Sequence, residues 1–124
     1  MTVEFTTKRI DNYYLIDVVG RIETHKDILV YWTPAREEAI RRGVKRFLIN
    51  YEKVDFRLDY YEMVQLSNHA EKIKFQAYGC KIAIVVLPAD LKKHKEYQTP
   101  ALNRGFNFHS FTSELEALSW LLDG

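Results

Sequence analysis

The chain has only one cysteine, Cys80, so it cannot form a disulfide bond within itself. A protein that folds without disulfides fits a reducing compartment, and we therefore expect a cytoplasmic location. Long apolar runs are also lacking: residues 28–32 and 83–88 fall far short of the roughly 20 residues that span a bilayer. The N-terminus alternates polar and apolar residues, which is not the pattern of a signal peptide. We expect no membrane insertion.

An excess of one charge is absent as well. The chain has 18 Lys and Arg residues against 17 Asp and Glu residues, which gives a formal net charge of +1. Such a balance creates no long-range field that would draw nucleic acid to the surface, so we expect no nucleic-acid partner.

Motifs for metals and cofactors are missing too. The histidines and Cys80 show no local spacing typical of metal ligands; the histidines are His25, His69, His94 and His109. We interpret them as separate surface or half-buried residues, and Cys80, which adjoins a buried strand, as a packing residue. No glycine-rich phosphate loop follows a predicted strand, and no Gly-x-Ser-x-Gly elbow occurs. The sequence therefore predicts no metal, no cofactor and no enzymatic activity.

What the chain does have is the length and composition of one globular domain. It contains 124 residues, of which 47% are hydrophobic and 28% are charged. A chain of this size can bury about two thirds of the surface that its unfolded state exposes. We therefore expect a single domain over residues 1–124 that needs neither a disulfide nor a structural metal to fold.

Five segments have the composition of β-strands. The first begins near Val3 and forms a hairpin with residues 14–19, turning near Asp11 and Asn12, and Gly20 is expected to end the second strand. Short buried apolar runs predict central parallel strands. The other predicted strands are residues 45–51, 81–87 and 107–111, and the first of these is followed by a polar loop over residues 52–58.

Four helices are predicted from capping residues, which accept hydrogen bonds from the free amides of a first turn. The caps are Thr24 with Asp27, Asp59 with Glu62, Asp90, and Ser113 with Glu116. Gly43 and Gly105 are expected to end the first and third helices, and Pro34 to kink the first. The predicted inward faces are Ile28, Trp32, Ala35 and Ala39; Met63, Leu66, Ala70 and Ile73; and Leu115, Leu118 and Leu122.

The order of these elements is β-β-α-β-α-β-α-β-α. Alternation of strands and helices predicts right-handed crossovers and a parallel sheet. We therefore expect an α/β fold with a five-stranded, mostly parallel mixed sheet, an N-terminal antiparallel hairpin at one edge, and helices on both faces.

Three segments of the second half resemble a known family. They are KIAIVVLPAD at residues 81–90, LNRGFNFHSF at residues 102–111 and SELEALSWLL at residues 113–122. Their succession of buried strand, acidic turn, Asn-x-Gly turn and helix with Ala-Leu-x-Trp-Leu is similar to the C-terminal half of SpoIIAA-like (STAS-like) domains. GVKRFL at residues 43–48 also resembles the segment that leads into their third strand.

The resemblance implies a SpoIIAA-like fold and a small non-enzymatic domain. Such domains bind proteins or, in CRAL-TRIO-type relatives, apolar small molecules. Phosphorylatable members carry a hydroxyl residue where the third strand meets the next helix, because a phosphate there switches partner binding by its charge. Residues 54–60 of this chain, VDFRLDY, contain no Ser or Thr, so we expect no such switch.

Two groups of residues are candidates for a binding surface. Aromatic residues make up 14% of the chain, and those near the first helices suit either a protein interface or the wall of an apolar pocket: Tyr31, Trp32, Phe56, Tyr60 and Tyr61. Three acidic residues fall near the ends of the third and fourth strands, where open α/β sheets place ligands: Asp55, Asp59 and Asp90. For Asp59 and Asp90, the sequence favours the simpler interpretation that they are helix caps.

The sequence favours a regulatory or protein-interaction domain that binds a partner protein or associates with itself as a homodimer. The alternative is a carrier that holds a small apolar, lipid-like ligand between the first helices and the sheet. An enzyme built on the acidic residues is least favoured, because no nucleophile or base pair accompanies them. An exposed aromatic patch would favour the first hypothesis and an aromatic-lined cavity the second.

Overall fold

The computed structural model describes residues 3–72, 79–103 and 107–123. It confirms the predicted α/β architecture and element order. The strands are β1 (Glu4–Ile10), β2 (Tyr13–Ile22), β3 (Arg46–Phe56), β4 (Lys81–Val85) and β5 (Asn107–Phe111). The helices are α1 (His25–Arg41), α2 (Tyr60–Lys72), α3 (Leu91–Asn103) and α4 (Glu114–Leu122), with a short 3-10 turn at Pro88–Asp90 before α3.

The five strands form one mixed sheet, as predicted, and their order within it is β1-β2-β3-β4-β5. β1 runs antiparallel to β2, and all other neighbours are parallel. Because three successive βαβ connections move along the sheet in one direction, they place α1, α2 and α3 on the same face. α4 follows the last strand and covers the opposite face.

Each face of the sheet has its own apolar core. On the α1–α3 face, buried strand residues pack against α1 and Met63 of α2; they include Ile16, Val18, Phe47, Ile49 and Ile84. On the α4 face the core is smaller and consists of Tyr13, Leu48, Ala83, Val85, Ala117 and Leu121. The α1 prediction is confirmed, since Ile28, Trp32, Ala35 and Ala39 are all buried. Leu66 of α2 packs against the larger core, whereas the side chain of Ala70 and all of Ile73 lie outside the described residues.

The hairpin prediction is confirmed, but the predicted end of β2 is wrong. Ile10 pairs with Tyr13 across a two-residue turn, in which Asp11 has a left-handed φ of 50°. β2 then continues through Gly20 to Ile22, after an irregularity in its register between Asp17 and Val19. Gly20 has a φ of 124°, which glycine adopts readily, and it pairs with Val54 inside β2 instead of ending the strand.

The predicted loop over residues 52–58 is wrong for its first five residues. β3 extends to Phe56, because its polar second half pairs with the second half of β2, from Val19 opposite Lys53 to Ile22 opposite Phe56. The hydrogen bonds of a neighbouring strand thus outweigh the polar composition of this segment.

The first helix begins as predicted and runs unbroken through Pro34. The Asp27 carboxylate accepts hydrogen bonds from the backbone amides of Glu23 and Thr24, at 2.9 and 3.0 Å. Pro34 is exposed, so water can satisfy the Val30 carbonyl that loses its helical partner there. Pro34 therefore does not interrupt the helix, and α1 is one helix from His25 to Arg41.

Two predictions about the last helices are corrected. Helical backbone starts at Pro88, directly after the extended residue Leu87, so Asp90 lies inside the first turn and does not cap α3. Ser113 caps α4 as predicted, since its hydroxyl accepts the Glu116 amide at 3.3 Å. Six of the nine α4 residues are apolar, so the sequence does not determine which side of α4 is buried. In the structure, α4 packs on the sheet through Ala117 and Leu121. Leu115 and Leu122, which were predicted to lie inward, are exposed.

Among the described residues, no helix is long and apolar enough to cross a membrane. Gly105, the predicted end of α3, lies outside the described residues.

The left-handed turn after α1 yields a stability prediction. Gly43 has a φ of +73°, and a Cβ atom added to it would have no heavy atom within 4 Å. A side chain at this position would therefore destabilise the fold only through its unfavourable backbone conformation. Gly43→Ala should lower the free energy of unfolding by about 1 kcal/mol. Gly43→Asn should cost less, because asparagine enters this conformation more easily. Urea unfolding curves measure both, and an alanine variant as stable as the parent would contradict the assignment.

Candidate functional site

The candidate residues meet at one edge of the sheet. Because β2 to β5 are parallel, their carboxyl ends lie at the same edge, where all four helices begin. We call this region the carboxyl-edge surface and define it by residues 55–61, between β3 and α2, and residues 87–91, between β4 and α3. It includes all the predicted site residues except Tyr31 and Trp32.

Asp55 lies at the centre of an ion cluster on this surface. Its Oδ2 atom is 3.3 Å from Nε of Arg21 and 3.0 Å from Nε of Arg57. Arg21 lies directly opposite Asp55 in the β2–β3 register. All three side chains are substantially exposed, so each pair contributes only about 0 to 1 kcal/mol to stability. The cluster brings two guanidinium groups together at the end of β3.

Asp59 and Glu62 fix the start of α2. The Asp59 carboxylate accepts the Glu62 backbone amide at 2.9 Å, which confirms the predicted cap. Oε1 of Glu62 accepts the backbone amide of His25 at 2.9 Å and lies 2.7 Å from Nδ1 of its ring. Hydrogen bonds from the His25 amide and ring lower the pKa of the Glu62 carboxyl. The first turns of α1 and α2 are therefore tied together.

Tyr60 and Tyr61 are the exposed aromatics of this surface. They occupy the first turn of α2, and 55% and 65% of their surface is exposed. Leu87, at the end of β4, is exposed on the same edge. Apolar surface is thus presented where α2 and α3 begin, beside the Asp55 ion cluster.

Tyr31 and Trp32, in contrast, lie in the core between α1 and the sheet. Tyr31 is fully buried, and its hydroxyl is hydrogen-bonded to the hydroxyl of Tyr51 on β3. Burial raises the pKa of both phenols well above the ordinary value. The Trp32 ring packs edge-on against Phe47 at 4.8 Å between ring centroids. These two candidates therefore contact other side chains of the core, and are not on the carboxyl-edge surface.

Phe56 links the carboxyl-edge surface to this core. The centroid of its ring lies 4.3 Å from that of the His94 ring and 5.1 Å from that of the Tyr51 ring. Its carbonyl accepts a hydrogen bond of 2.8 Å from Nζ of Lys93. The start of α3 is thus attached to the end of β3.

His94 is a buried member of this cluster that the sequence interpretation missed. It is 2% exposed, and desolvation by burial, followed by the charge of Lys93, lowers its pKa to about 4. It is therefore neutral at physiological pH. A sequence signal does exist, because His94 is three residues after Leu91 and shares its helix face.

Asp90 and Cys80 offer less to a binding site. Asp90 is half-buried in the 3-10 turn before α3. Cys80 is buried, and desolvation raises the pKa of its thiol to about 11, so it is a neutral packing residue at physiological pH. In the part of the chain that the structure describes, no three His, Cys, Asp or Glu side chains cluster as metal ligands would.

The tyrosine pair permits a double-mutant test. Tyr31→Phe or Tyr51→Phe alone leaves the other hydroxyl buried without its partner, at an expected cost of about 1 to 3 kcal/mol. The double variant removes both hydroxyls and should cost clearly less than the sum of the single variants. Chemical denaturation of the four proteins measures the coupling. Additive single costs would show that the two hydroxyls do not depend on each other.

Burial of neutral His94 predicts loss of stability in acid. An unfolded histidine titrates near pH 6.5 and the folded one near 4, so between these values the unfolded state binds more protons. The free energy of unfolding should therefore fall, by up to about 3 kcal/mol, as the pH decreases from about 6.5 to 4. His94→Gln should flatten this slope. His109→Gln is the comparison variant, because the pKa of half-buried His109 is lowered as well. A slope that is flattened by His109→Gln but not by His94→Gln would show that the assignment to His94 is wrong.

Comparisons with known proteins give structural matches alone. No protein-family model matches the chain, and no curated protein was found to match it. Among solved structures, it is similar to an uncharacterised DUF3478-family protein with a SpoIIAA-like fold from Shewanella loihica, with 20% identity, a TM-score of 0.61, and coverage of 97% of this chain and 93% of the other.

Two further solved structures are anti-sigma factor antagonists. One, from Mycobacterium paratuberculosis, is 18% identical, with a TM-score of 0.53 and coverage of 98% of this chain and 96% of the other. The other is SpoIIAA in its unphosphorylated form, also 18% identical, with a TM-score of 0.54 and coverage of 94% and 96%. At sequence identities below 25%, such matches establish the fold alone. The five-stranded mixed sheet with four helices shows that this chain adopts the SpoIIAA-like fold.

Proposed function

We propose that this chain is a non-enzymatic STAS-like regulatory or protein-interaction domain of the cytoplasm that binds a partner protein through its carboxyl-edge surface. The observation that carries the proposal is the exposure of two adjacent tyrosines, Tyr60 and Tyr61, on the first turn of α2. Buried aromatics would serve the core, but exposed ones supply contact area for a partner.

The surroundings of the tyrosines support an interface. Tyrosine buries a large area at low entropic cost and is enriched where binding energy concentrates. The Asp59 cap and the bonds from His25 to Glu62 hold the first turn of α2, so the backbone that carries the tyrosines is positioned before a partner binds. Arg21 and Arg57, held by Asp55, supply a charged rim beside them.

The absence of a Ser or Thr switch is part of the proposal. Residues 57–59, between β3 and α2, are Arg57, Leu58 and Asp59. A carboxylate already caps α2 through its bond to the Glu62 amide. Negative charge at this helix start is therefore a permanent part of the fold, whereas a phosphate would add it reversibly.

The engagement of the carboxylates supports a binding role over catalysis. Asp55 pairs with two arginines, Asp59 caps α2, and Glu62 accepts bonds from His25. A general acid or base needs freedom to exchange a proton with a substrate and a pKa close to the working pH. The lowered pKa of Glu62 moves away from that range.

The apolar-ligand alternative gains no support from Tyr31 and Trp32. A ligand between α1 and the sheet would have to displace Tyr31 from Tyr51 and Trp32 from Phe47. It would also leave a buried hydroxyl without a partner.

The experiment is quantitative affinity purification of the tagged protein from cells of the organism that encodes it. Tyr60→Ala/Tyr61→Ala should reduce the recovery of a specific partner about tenfold or more, the effect of losing about 1.4 kcal/mol or more of binding free energy. Val30→Ala, an exposed apolar position on α1, is the matched control and should leave recovery unchanged. Equal recovery with the tyrosine variant would exclude this surface.

Native mass spectrometry of the same preparation addresses the alternative. A retained small molecule that survives Tyr60→Ala/Tyr61→Ala but is lost with Trp32→Ala would favour the carrier hypothesis and count against the proposal. A bare polypeptide together with a tyrosine-dependent partner would support it.

A further inference from the structure

An open groove lies at the start of α3. It has a volume of about 580 Å³ and is lined by Pro88, Leu91, Lys92, Lys95 and Glu96. Its apolar lining consists of the exposed Pro88 and the half-buried Leu91, and its three charged side chains are exposed. We call it the α3 groove.

Positive charge predominates at the rim of the α3 groove. Lys92 and Lys95 are three residues apart and therefore lie on the same side of α3, against the single acidic rim residue, Glu96. The groove also adjoins the N-terminal end of α3, where the helix dipole is positive. It therefore fits an apolar side chain flanked by negative charges.

The first turn of α4 presents such a side chain. Leu115 is 80% exposed, which is the largest exposure of any large hydrophobic residue that the structure describes. It lies between two exposed acidic residues, Glu114 and Glu116. Packing of α4 on the sheet uses Ala117 and Leu121, so Leu115 has no role in the core.

The fold keeps this leucine away from the groove of its own chain. Leu91 of α3 packs against the larger core on the α1–α3 face, whereas α4 packs against the smaller core on the opposite face. The sheet therefore lies between the two features. A second copy of the chain, however, can bring its α4 to the groove.

We propose that two copies of this chain associate by inserting Leu115 of each copy into the α3 groove of the other. Glu114 and Glu116 of one copy then face Lys92 and Lys95 of the other. The same contact formed twice about a twofold axis closes the assembly as a dimer. This inference goes beyond the proposed function: the groove includes Pro88 and Leu91 of the carboxyl-edge surface, but the contact uses neither Tyr60 nor Tyr61 and leaves the identity of any other partner open.

The contact predicts a salt-sensitive association. Rim charges that are exposed in the free protein attract each other less as salt screens them. A single leucine per groove provides a small apolar anchor, so the dimer should dissociate on dilution and at high salt. Sedimentation velocity over a range of protein and salt concentrations measures both effects.

Charge reversal provides the decisive test. In Lys92→Glu/Lys95→Glu, both the α3 groove and the first turn of α4 are acidic. In Glu114→Lys/Glu116→Lys, both are basic. Each variant alone should therefore dimerise at least about tenfold more weakly than the parent. An equimolar mixture restores opposite charges at both contacts and should form a heterodimer of nearly parental affinity. Variants that dimerise like the parent, or a mixture that stays monomeric, would overturn the proposal, as would a parent chain that is monomeric at every concentration.

Two further variants separate the contact from an effect on folding. Leu115→Ala should weaken the dimer, whereas Leu122→Ala, at another exposed position of α4, should not. Because lysine at a helix start opposes the helix dipole, Glu114→Gln/Glu116→Gln provides a milder variant with intact neutral side chains. Circular dichroism melts must show that each variant is folded. Equal loss of the dimer with Leu115→Ala and Leu122→Ala would overturn the assignment to Leu115.

Discussion

The pairing of β2 with β3 along their whole length is the constraint on which the carboxyl-edge surface depends. The register runs from Tyr14 opposite Phe47 to Ile22 opposite Phe56, across one irregularity between Asp17 and Val19. This extension places Asp55 against Arg21 and brings the ring and the carbonyl of Phe56 to α3. If β3 ended at the apolar segment, α2 would begin at a different place and these contacts would not form.

The fold was predictable from sequence because several of its helix ends are marked by local signals. Thr24 with Asp27, Gly43, and Ser113 with Glu116 act within one helical turn, and the predicted elements around them are confirmed. The second half of β3 carries no such signal, because its strand conformation depends on hydrogen bonds to β2, a segment distant in sequence. The buried face of α4 was missed for a similar reason, since its six apolar residues allow more than one face and the sheet decides between them.

Among the candidate site residues, too, some positions were predictable from local sequence and others depend on tertiary packing. Asp55 and Asp59 were placed correctly at the end of β3, because parallel strands bring their carboxyl ends to one edge of the sheet. The helical pattern assigned Trp32 to the inward face of α1 but assigned neither Tyr31 nor Tyr60, although Tyr31 is fully buried and Tyr60 lies at an exposed helix start. For these two tyrosines, only the packing of the helices on the sheet separates core from surface. His94 was missed because a single histidine in a lysine-rich segment is most simply interpreted as exposed.

The distribution of charge in the described residues indicates what kind of surface the carboxyl edge is. Its carboxylates position other groups: Asp55 holds two arginines, Asp59 caps α2, and Glu62 joins α2 to α1. The buried polar groups behind them are neutral, as burial disfavours protonation of His94 and ionisation of the tyrosine pair. In the proposed function, recognition at this edge depends on the exposed tyrosine rings and on Arg21 and Arg57, which contribute contact area and charge. A surface of this composition is suited to select a partner by shape and charge.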